Sequence, residues 1–161
     1  MKAAVVYYSQ SGNTKFVAER MAQILEADLI PLTPKKEYPD SGFKKFLWGG
    51  KSAMMGEKPT LKPYAFYAEQ YDTVVLGTPV WAGTIAPPLR SFIAENKKVL
   101  QGKAVALFAC CSGGPGKVME KAKKVLGLDT LLAELILIDP KDKPTPENEA
   151  RIAAFCDKLK G

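Results

Sequence analysis

A run of hydrogen-bonding residues near the start of the chain has the composition of a phosphate site. It follows an apolar run over residues 3–8 and precedes an amphipathic segment over residues 15–25, so it falls where a buried strand leads into a helix. A helix N-terminus offers unpaired backbone N–H groups and the positive end of the helix dipole. Hydroxyl groups can donate further hydrogen bonds, whereas an ordinary N-cap needs only one or two polar residues. We therefore predict that phosphate binds to the motif Ser9, Gln10, Ser11, Gly12, Asn13 and Thr14.

A tryptophan stands in a second segment, which follows another predicted strand. That strand covers residues 72–77, and Trp81 lies in the loop after it, two residues before Gly83, which permits a turn with positive φ. Leaving an aromatic side chain in water forgoes about 1.5–3 kcal/mol of burial energy. The indole therefore either folds back onto the protein or packs on a flat ligand, and position alone leaves both alternatives open. The candidate residues of this loop are Thr78, Pro79, Val80, Trp81, Ala82 and Gly83.

A glycine-rich segment follows the next predicted strand. Its glycines expose backbone amides, which a site needs in order to bind the edge of a heterocycle through main-chain hydrogen bonds. A turn before the next helix explains these glycines equally well. The adjacent Cys110 and Cys111 would point to opposite faces of a continuing strand, so we expect small buried hydrophobic residues rather than a redox pair. The candidates in this segment are Cys110, Cys111, Ser112, Gly113 and Gly114.

Apolar runs and helical patterns alternate along the whole chain. We predict five strands, at residues 3–8, 28–32, 72–77, 103–110 and 131–138, with helices between and after them. This alternation indicates a single domain, residues 1–161, of the α/β class, with an open parallel sheet and helices on both faces. Right-handed crossovers and five strands suit the order 2-1-3-4-5, in which ligands bind beyond the carboxyl ends of the first and third strands. All three candidate segments would then line one crevice.

Proline and glycine modify this pattern in two places. Pro31 is compatible only with an edge position for the second strand. Within residues 35–71, apolar side chains over residues 43–48 predict a partial helix, which we expect Gly49 and Gly50 to interrupt.

The composition argues against several classes of function. Lysine and arginine total 23 against 17 acidic residues, a net charge of +6, which favours acidic partners or anionic substrates. The lysines occur as scattered pairs, so nucleic-acid binding is not expected. The sequence has no histidine and only three cysteines, which argues against a metal site. No apolar run reaches the ~20 residues that span a membrane, and a removable signal peptide would take Ser9 with it, so we expect a cytoplasmic protein.

The motif at residues 9–14 and the segment at residues 77–84 make the chain similar to the flavodoxins and flavodoxin-like FMN-binding proteins. The resemblance covers the whole chain and implies FMN as the cofactor. Ser9 through Thr14 would then hold the phosphate. Pro79 through Gly83 would lie along the isoalloxazine, with Trp81 stacked on it and Thr78 also in the cofactor site. Cys110 through Gly114 would meet the pyrimidine edge or the ribityl chain.

The chain departs from well-studied flavodoxins in two respects. It is basic where they are strongly acidic, and the loop after its fourth strand lacks the second aromatic residue that often covers the flavin. One flavin face would therefore be open, or covered by residues 43–56, where Phe46, Trp48, Met54 and Met55 are available. An open face gives room for a hydride donor or a quinone to react with the flavin. It therefore suits an oxidoreductase better than a pure electron carrier.

Two functions follow from the resemblance, and no residue identifies itself as catalytic. The first is flavodoxin-type electron transfer to a redox partner protein, which the net charge predicts to be acidic. The alternative is an NAD(P)H-dependent FMN oxidoreductase with a quinone or similar small-molecule acceptor. A response-regulator receiver would need acidic residues where the chain has Ser9 and Thr78, and a P-loop would need a glycine where it has Lys45. We therefore discount both of those classes.

Overall fold

The computed structural model describes residues 1–39 and 42–161, and the side chains of these residues except for residues 42–47. Every helix in that part of the chain is too short or too polar to span a lipid bilayer. The elements in chain order are β1 (Ala3–Tyr7), α1 (Asn13–Leu25), β2 (Asp28–Pro31), α2 (Gly42–Met54), a 3₁₀ turn (Ala68–Gln70), β3 (Thr73–Trp81), β4 (Thr84–Ile85), α3 (Pro87–Leu100), β5 (Ala104–Cys111), α4 (Val118–Leu126), β6 (Glu134–Ile138) and α5 (Pro146–Lys160).

The main sheet is parallel and has the predicted strand order. Its order is β2-β1-β3-β5-β6, which is 2-1-3-4-5 when the parallel strands are numbered on their own, so the predicted fold class is confirmed. Strand β2 lies at the edge, as Pro31 requires. The short strand β4 differs from the prediction: it pairs antiparallel with the end of β3, which runs on to Trp81 instead of ending at Gly77. Strand β6 begins at Glu134, later than predicted.

Helices bury both faces of this sheet. Alternate side chains of β1 show the arrangement: Ala4 and Val6 belong to the hydrophobic cluster that includes α3 and α4, whereas Val5 and Tyr7 belong to the cluster that includes α1 and α5. Strand β1 is buried along its whole length. This is the burial expected of a central strand in a parallel sheet.

Helix α2 continues through Gly49 and Gly50, contrary to the predicted interruption. A Cβ atom on Gly49 would lie 3.2 Å from the indole of Trp81, so the missing side chain lets the helix approach the β3–β4 hairpin closely. A glycine inside a helix costs about 1 kcal/mol relative to alanine. The predicted interruption is wrong because this tertiary contact outweighs the local propensity of the two glycines.

Gly77 allows a test of the packing between β3 and β5. A Cβ atom there would lie 2.3 Å from the ring of Phe108, which is fully buried on β5. We expect Gly77→Ala to lower the free energy of unfolding by about 1–3 kcal/mol, the usual cost of overpacking a core. Gly50→Ala is the control, because no described atom lies within 4 Å of its Cβ position and alanine favours a helix. Urea denaturation compares the two apoproteins, and equal stabilities would contradict the described packing.

Candidate functional site

A cavity of about 870 Å³ opens at the carboxyl ends of β1, β3 and β5. The strand order reverses between β1 and β3, which is where open α/β sheets bind their ligands. The walls come from the loops after these three strands and from α2. The lining residues are Gln10, Ser11, Asn13, Gly49, Gly50, Lys51, Met54, Met55, Pro79, Val80, Trp81, Ala82, Gly83, Cys110, Cys111, Ser112, Gly113 and Gly114.

The loop after β1 leaves the start of α1 without a side-chain cap. Gly12 occupies the N-cap position with φ 98°, a left-handed conformation that favours glycine, and no described side chain caps the helix there. The hydroxyl of Ser9 is buried and has no hydrogen-bond partner among the described residues. Buried polar groups are normally paired. The unpaired hydroxyl and the uncapped helix together therefore indicate a place for an anionic group.

Two amide side chains tie this loop to neighbouring segments. The Nε2 atom of Gln10 donates a hydrogen bond to the backbone carbonyl of Pro39 at 2.6 Å. The Oδ1 atom of Asn13 accepts a hydrogen bond from the backbone N–H of Lys141 at 3.0 Å. Contacts within the protein thus hold the loop in place.

The indole of Trp81 packs on the protein, which is one of the two alternatives left open by the sequence, and it also lines the cavity. Its stacking on a flat ligand stays a prediction. The rings of Tyr8 and Tyr38 meet it edge-on, with centroid distances of 5.7 and 5.1 Å. Gly49 approaches its face from α2. Burial raises the pKa of both tyrosines above the ordinary value, so they stay neutral at physiological pH. These contacts fix the orientation of a half-buried indole that lines the cavity.

The two cysteines at the end of β5 are free and buried. Burial raises the pKa of the Cys110 thiol to about 12, against a smaller opposite effect of its hydrogen bond with Thr14. Burial also raises the pKa of Cys111, whose Sγ atom donates to the carbonyl of Leu137 at 3.8 Å. Both thiols are therefore protonated at neutral pH. Uncharged and buried, they behave as small hydrophobic residues.

The cavity brings together all the predicted site residues except Ser9, Gly12, Thr14 and Thr78. Ser9 and Gly12 belong to the loop that leads into α1, and Thr14 is a buried residue of the first turn of α1. Thr78 is fully buried, where its Oγ atom accepts a hydrogen bond from the N–H of Ala86 at 2.9 Å and donates one to the carbonyl of the next residue at 2.8 Å. The Thr78 hydroxyl thus joins β3 to the start of α3, and its contact with a cofactor stays a prediction.

Helix α2 and Met55 supply a wall of the cavity from the segment, residues 43–56, that the sequence analysis gives as one alternative for covering the flavin. Among the side chains considered as a second cover, Met54 and Met55 line the cavity. Trp48 does not line it; the ammonium of Lys36 lies over its ring, 5.9 Å from the centroid. The side chain of Phe46 lies outside the described residues. The adjacent glycines of α2 are the signal for this wall, because they mark a close approach rather than a helix end.

A family model described as Flavodoxin matches residues 2–129. The chain belongs to the flavodoxin family. The matched residues include all three loops that line the cavity, so the flavodoxin match extends over the site as well as the sheet. No curated protein matches the sequence.

Solved structures share the flavodoxin fold of this chain. A flavoprotein from Bacteroides eggerthii is 24% identical, with a TM-score of 0.75 over 99% of this chain and 98% of that one. A flavoprotein from Lactobacillus acidophilus, crystallised in complex with FMN, is 22% identical, with a TM-score of 0.70 over 88% and 95% of the two chains. Two-electron reduced flavodoxin from Megasphaera elsdenii is 18% identical, with a TM-score of 0.59 over 96% and 98%.

The buried thiol of Cys110 predicts a loss of stability at alkaline pH. Its folded pKa is about 12, whereas an unfolded cysteine titrates near ~8.5. A group with a raised folded pKa stabilises the protein fully below the unfolded value and loses that contribution as the pH rises towards the folded value. We therefore expect the free energy of unfolding to fall between about pH 8.5 and 12, more steeply in wild type than in Cys110→Ala. Denaturation at a series of pH values measures both slopes, and parallel profiles would contradict this account.

Proposed function

We propose that this chain binds FMN in the cavity and transfers electrons as flavodoxins do. The observation that carries the proposal is the buried, unpartnered hydroxyl of Ser9 beside the uncapped start of α1 and a cavity lined by an indole. A phosphate group satisfies the hydroxyl and the helix, and a flat ring satisfies the indole. Membership of the flavodoxin family and the FMN complex of the Lactobacillus acidophilus flavoprotein support the same ligand.

The residues before and within the first turn of α1 fit a phosphate group. Ser9, Ser11 and Thr14 would supply hydroxyl groups, and the turn at Gly12 would supply backbone N–H groups. Helix α1 has no acidic residue in its first turn that would repel an anion. The phosphate would therefore be held by neutral donors and by the helix dipole.

The other two loops fit a planar ring. Trp81 presents an indole that two tyrosines orient, and the residues from Pro79 to Gly83 continue the same wall. No described atom lies within 4 Å of the Cβ positions of Gly113 and Gly114, so the backbone of this loop is accessible to the polar edge of a ring. These contacts would set the orientation of the isoalloxazine.

The cavity lining favours an electron carrier. FMN, when bound, accepts and donates electrons singly or in pairs. The titratable side chains of the described lining are Lys51, Cys110 and Cys111, and burial raises the pKa of both thiols. None of the described lining residues is a carboxylate, and the sequence contains no histidine. The chain would thus bind and orient the cofactor without offering an obvious general acid or base at neutral pH.

The α2 wall favours a second candidate, an NAD(P)H-dependent FMN oxidoreductase with a quinone or similar acceptor. Met54 and Met55 line the cavity and are 76% and 66% exposed. Within the described lining, Trp81 is the only aromatic residue. A flexible apolar wall of this kind adapts readily to a second flat molecule placed beside the ring.

The charges around the cavity support an acidic redox partner. Lys51 lines the cavity, and the ammonium of Lys121 lies 3.9 Å from the Cβ position of Gly83. Asp139 accepts a hydrogen bond from the hydroxyl of Ser112 at 2.6 Å. Its negative charge is offset by the ammonium of Lys143, which lies 3.6 Å away. The positive balance at the cavity would steer an acidic protein towards the cofactor.

Ser9→Ala tests the cofactor assignment. We expect the affinity of the apoprotein for FMN to fall about tenfold, because a hydrogen bond to a charged phosphate is lost, and the affinity for riboflavin to stay the same. The stability of the apoprotein should not fall, since no described group bonds to this hydroxyl. Ser11→Ala and Thr14→Ala should also weaken the binding of FMN far more than the binding of riboflavin. Flavin fluorescence gives both dissociation constants.

Ser91→Ala is the matched control for that measurement. Ser91 is also buried, but its hydroxyl donates to the backbone carbonyl of Pro59 at 2.6 Å, away from the cavity lining. This variant should lose stability and keep its FMN affinity. Unchanged FMN affinity in Ser9→Ala would contradict the phosphate assignment.

The choice between carrier and oxidoreductase can be made by reductive titration and an NADPH oxidation assay. For a carrier we expect two resolved one-electron steps with dithionite and no NADPH oxidation beyond that of free FMN. The potential for full reduction should be less negative than in acidic flavodoxins, because no carboxylate of the described lining opposes an anionic reduced ring. Rapid NADPH oxidation in the presence of a quinone would favour the second candidate instead.

A further inference from the structure

The loop between β6 and α5 brings a lysine side chain against the first turn of α1. The backbone N–H of Lys141 donates to the Oδ1 atom of Asn13 at 3.0 Å, which fixes where the side chain begins. Its ammonium lies 3.0 Å from the Cβ position of Gly12, and its Cδ and Cε atoms lie 3.4 and 3.7 Å from the same point. The lysine stem therefore lies along the glycine, in space that a side chain at residue 12 would occupy.

This ammonium has an unfavourable position with respect to the helix. The N-terminus of a helix carries positive partial charge, so a cation there is repelled where an anion is attracted. Among the described residues, no carboxylate lies within ion-pair distance of Lys141, whereas Lys15 pairs with Glu19 and Lys143 pairs with Asp139. An anion bound beside Gly12 would be attracted by the helix and by the lysine at once.

We propose that Lys141 pairs through its ammonium with the phosphate group bound at the start of α1, and so sets a preference for phosphorylated over unphosphorylated flavin. This inference rests on the proposed function, that the chain binds FMN. The hydroxyls and amides of residues 9–14 carry no net charge, so they leave the phosphate uncompensated. Lys141 supplies one opposite charge from an element far along the chain.

The exposure of Lys141 determines how the pair behaves. Its side chain is exposed to solvent, so the attraction is screened by salt and has a modest strength. The contribution of Lys141 to FMN affinity should therefore be largest at low ionic strength. Riboflavin, which has no phosphate, should not respond to it.

The test compares four forms of the full chain: wild type, Lys141→Gln, Lys141→Arg and Lys143→Gln. The last is the matched control, because it removes one positive charge from the same loop but from a residue that pairs with Asp139. Dissociation constants for FMN and for riboflavin are measured by flavin fluorescence at about 20 mM and about 500 mM salt.

We expect Lys141→Gln to weaken FMN binding about fivefold at low salt and to leave riboflavin binding unchanged. The difference from wild type should shrink at high salt. Lys141→Arg should bind FMN within about threefold of wild type, and Lys143→Gln within about twofold.

Two results overturn the inference while the proposed function stands: FMN affinities that are equal in Lys141→Gln and Lys143→Gln, or an equal loss of FMN and riboflavin affinity in Lys141→Gln. A wild-type chain that binds neither flavin overturns the proposed function and this inference together.

Discussion

The start of α1 combines positive partial charge with a buried hydroxyl that has no described protein partner, and the other features of the site surround it. Leaving a buried polar group unpaired costs about 1–3 kcal/mol, so the folded chain keeps a local instability that an anionic ligand would remove. Gly12 makes the turn feasible through its positive φ and leaves room for the stem of Lys141. These details all favour a phosphate group at the same point.

The sheet determines what else lies near this point. Strands β1, β3 and β5 are neighbours, so the residues that follow them meet at one edge although they are far apart in sequence. The hydroxyl of Thr78 joins β3 to the start of α3, and the β3–β4 hairpin places Trp81 at the cavity. Helix α2 packs against that indole at Gly49. The rigid strands thus position the loops that line the cavity.

The fold and three of the cavity walls could be predicted from the sequence because their signals are local. Apolar runs that alternate with helical patterns specify a parallel α/β sheet, and the polar motif at residues 9–14 stands at a strand-to-helix turn. The continuation of α2 through Gly49 could not be predicted, because glycine favours a helix end and the contact of Gly49 with Trp81 is tertiary. The contact between Lys141 and Asn13 spans 128 residues, so no local pattern indicates it.

A crystal structure of this chain with bound FMN tests the central claim most directly. We predict that the phosphate oxygens accept hydrogen bonds from the hydroxyl of Ser9 and from backbone N–H groups at the Gly12 turn, with the isoalloxazine against Trp81. A structure in which the phosphate lies elsewhere and the Ser9 hydroxyl still has no partner would contradict the account.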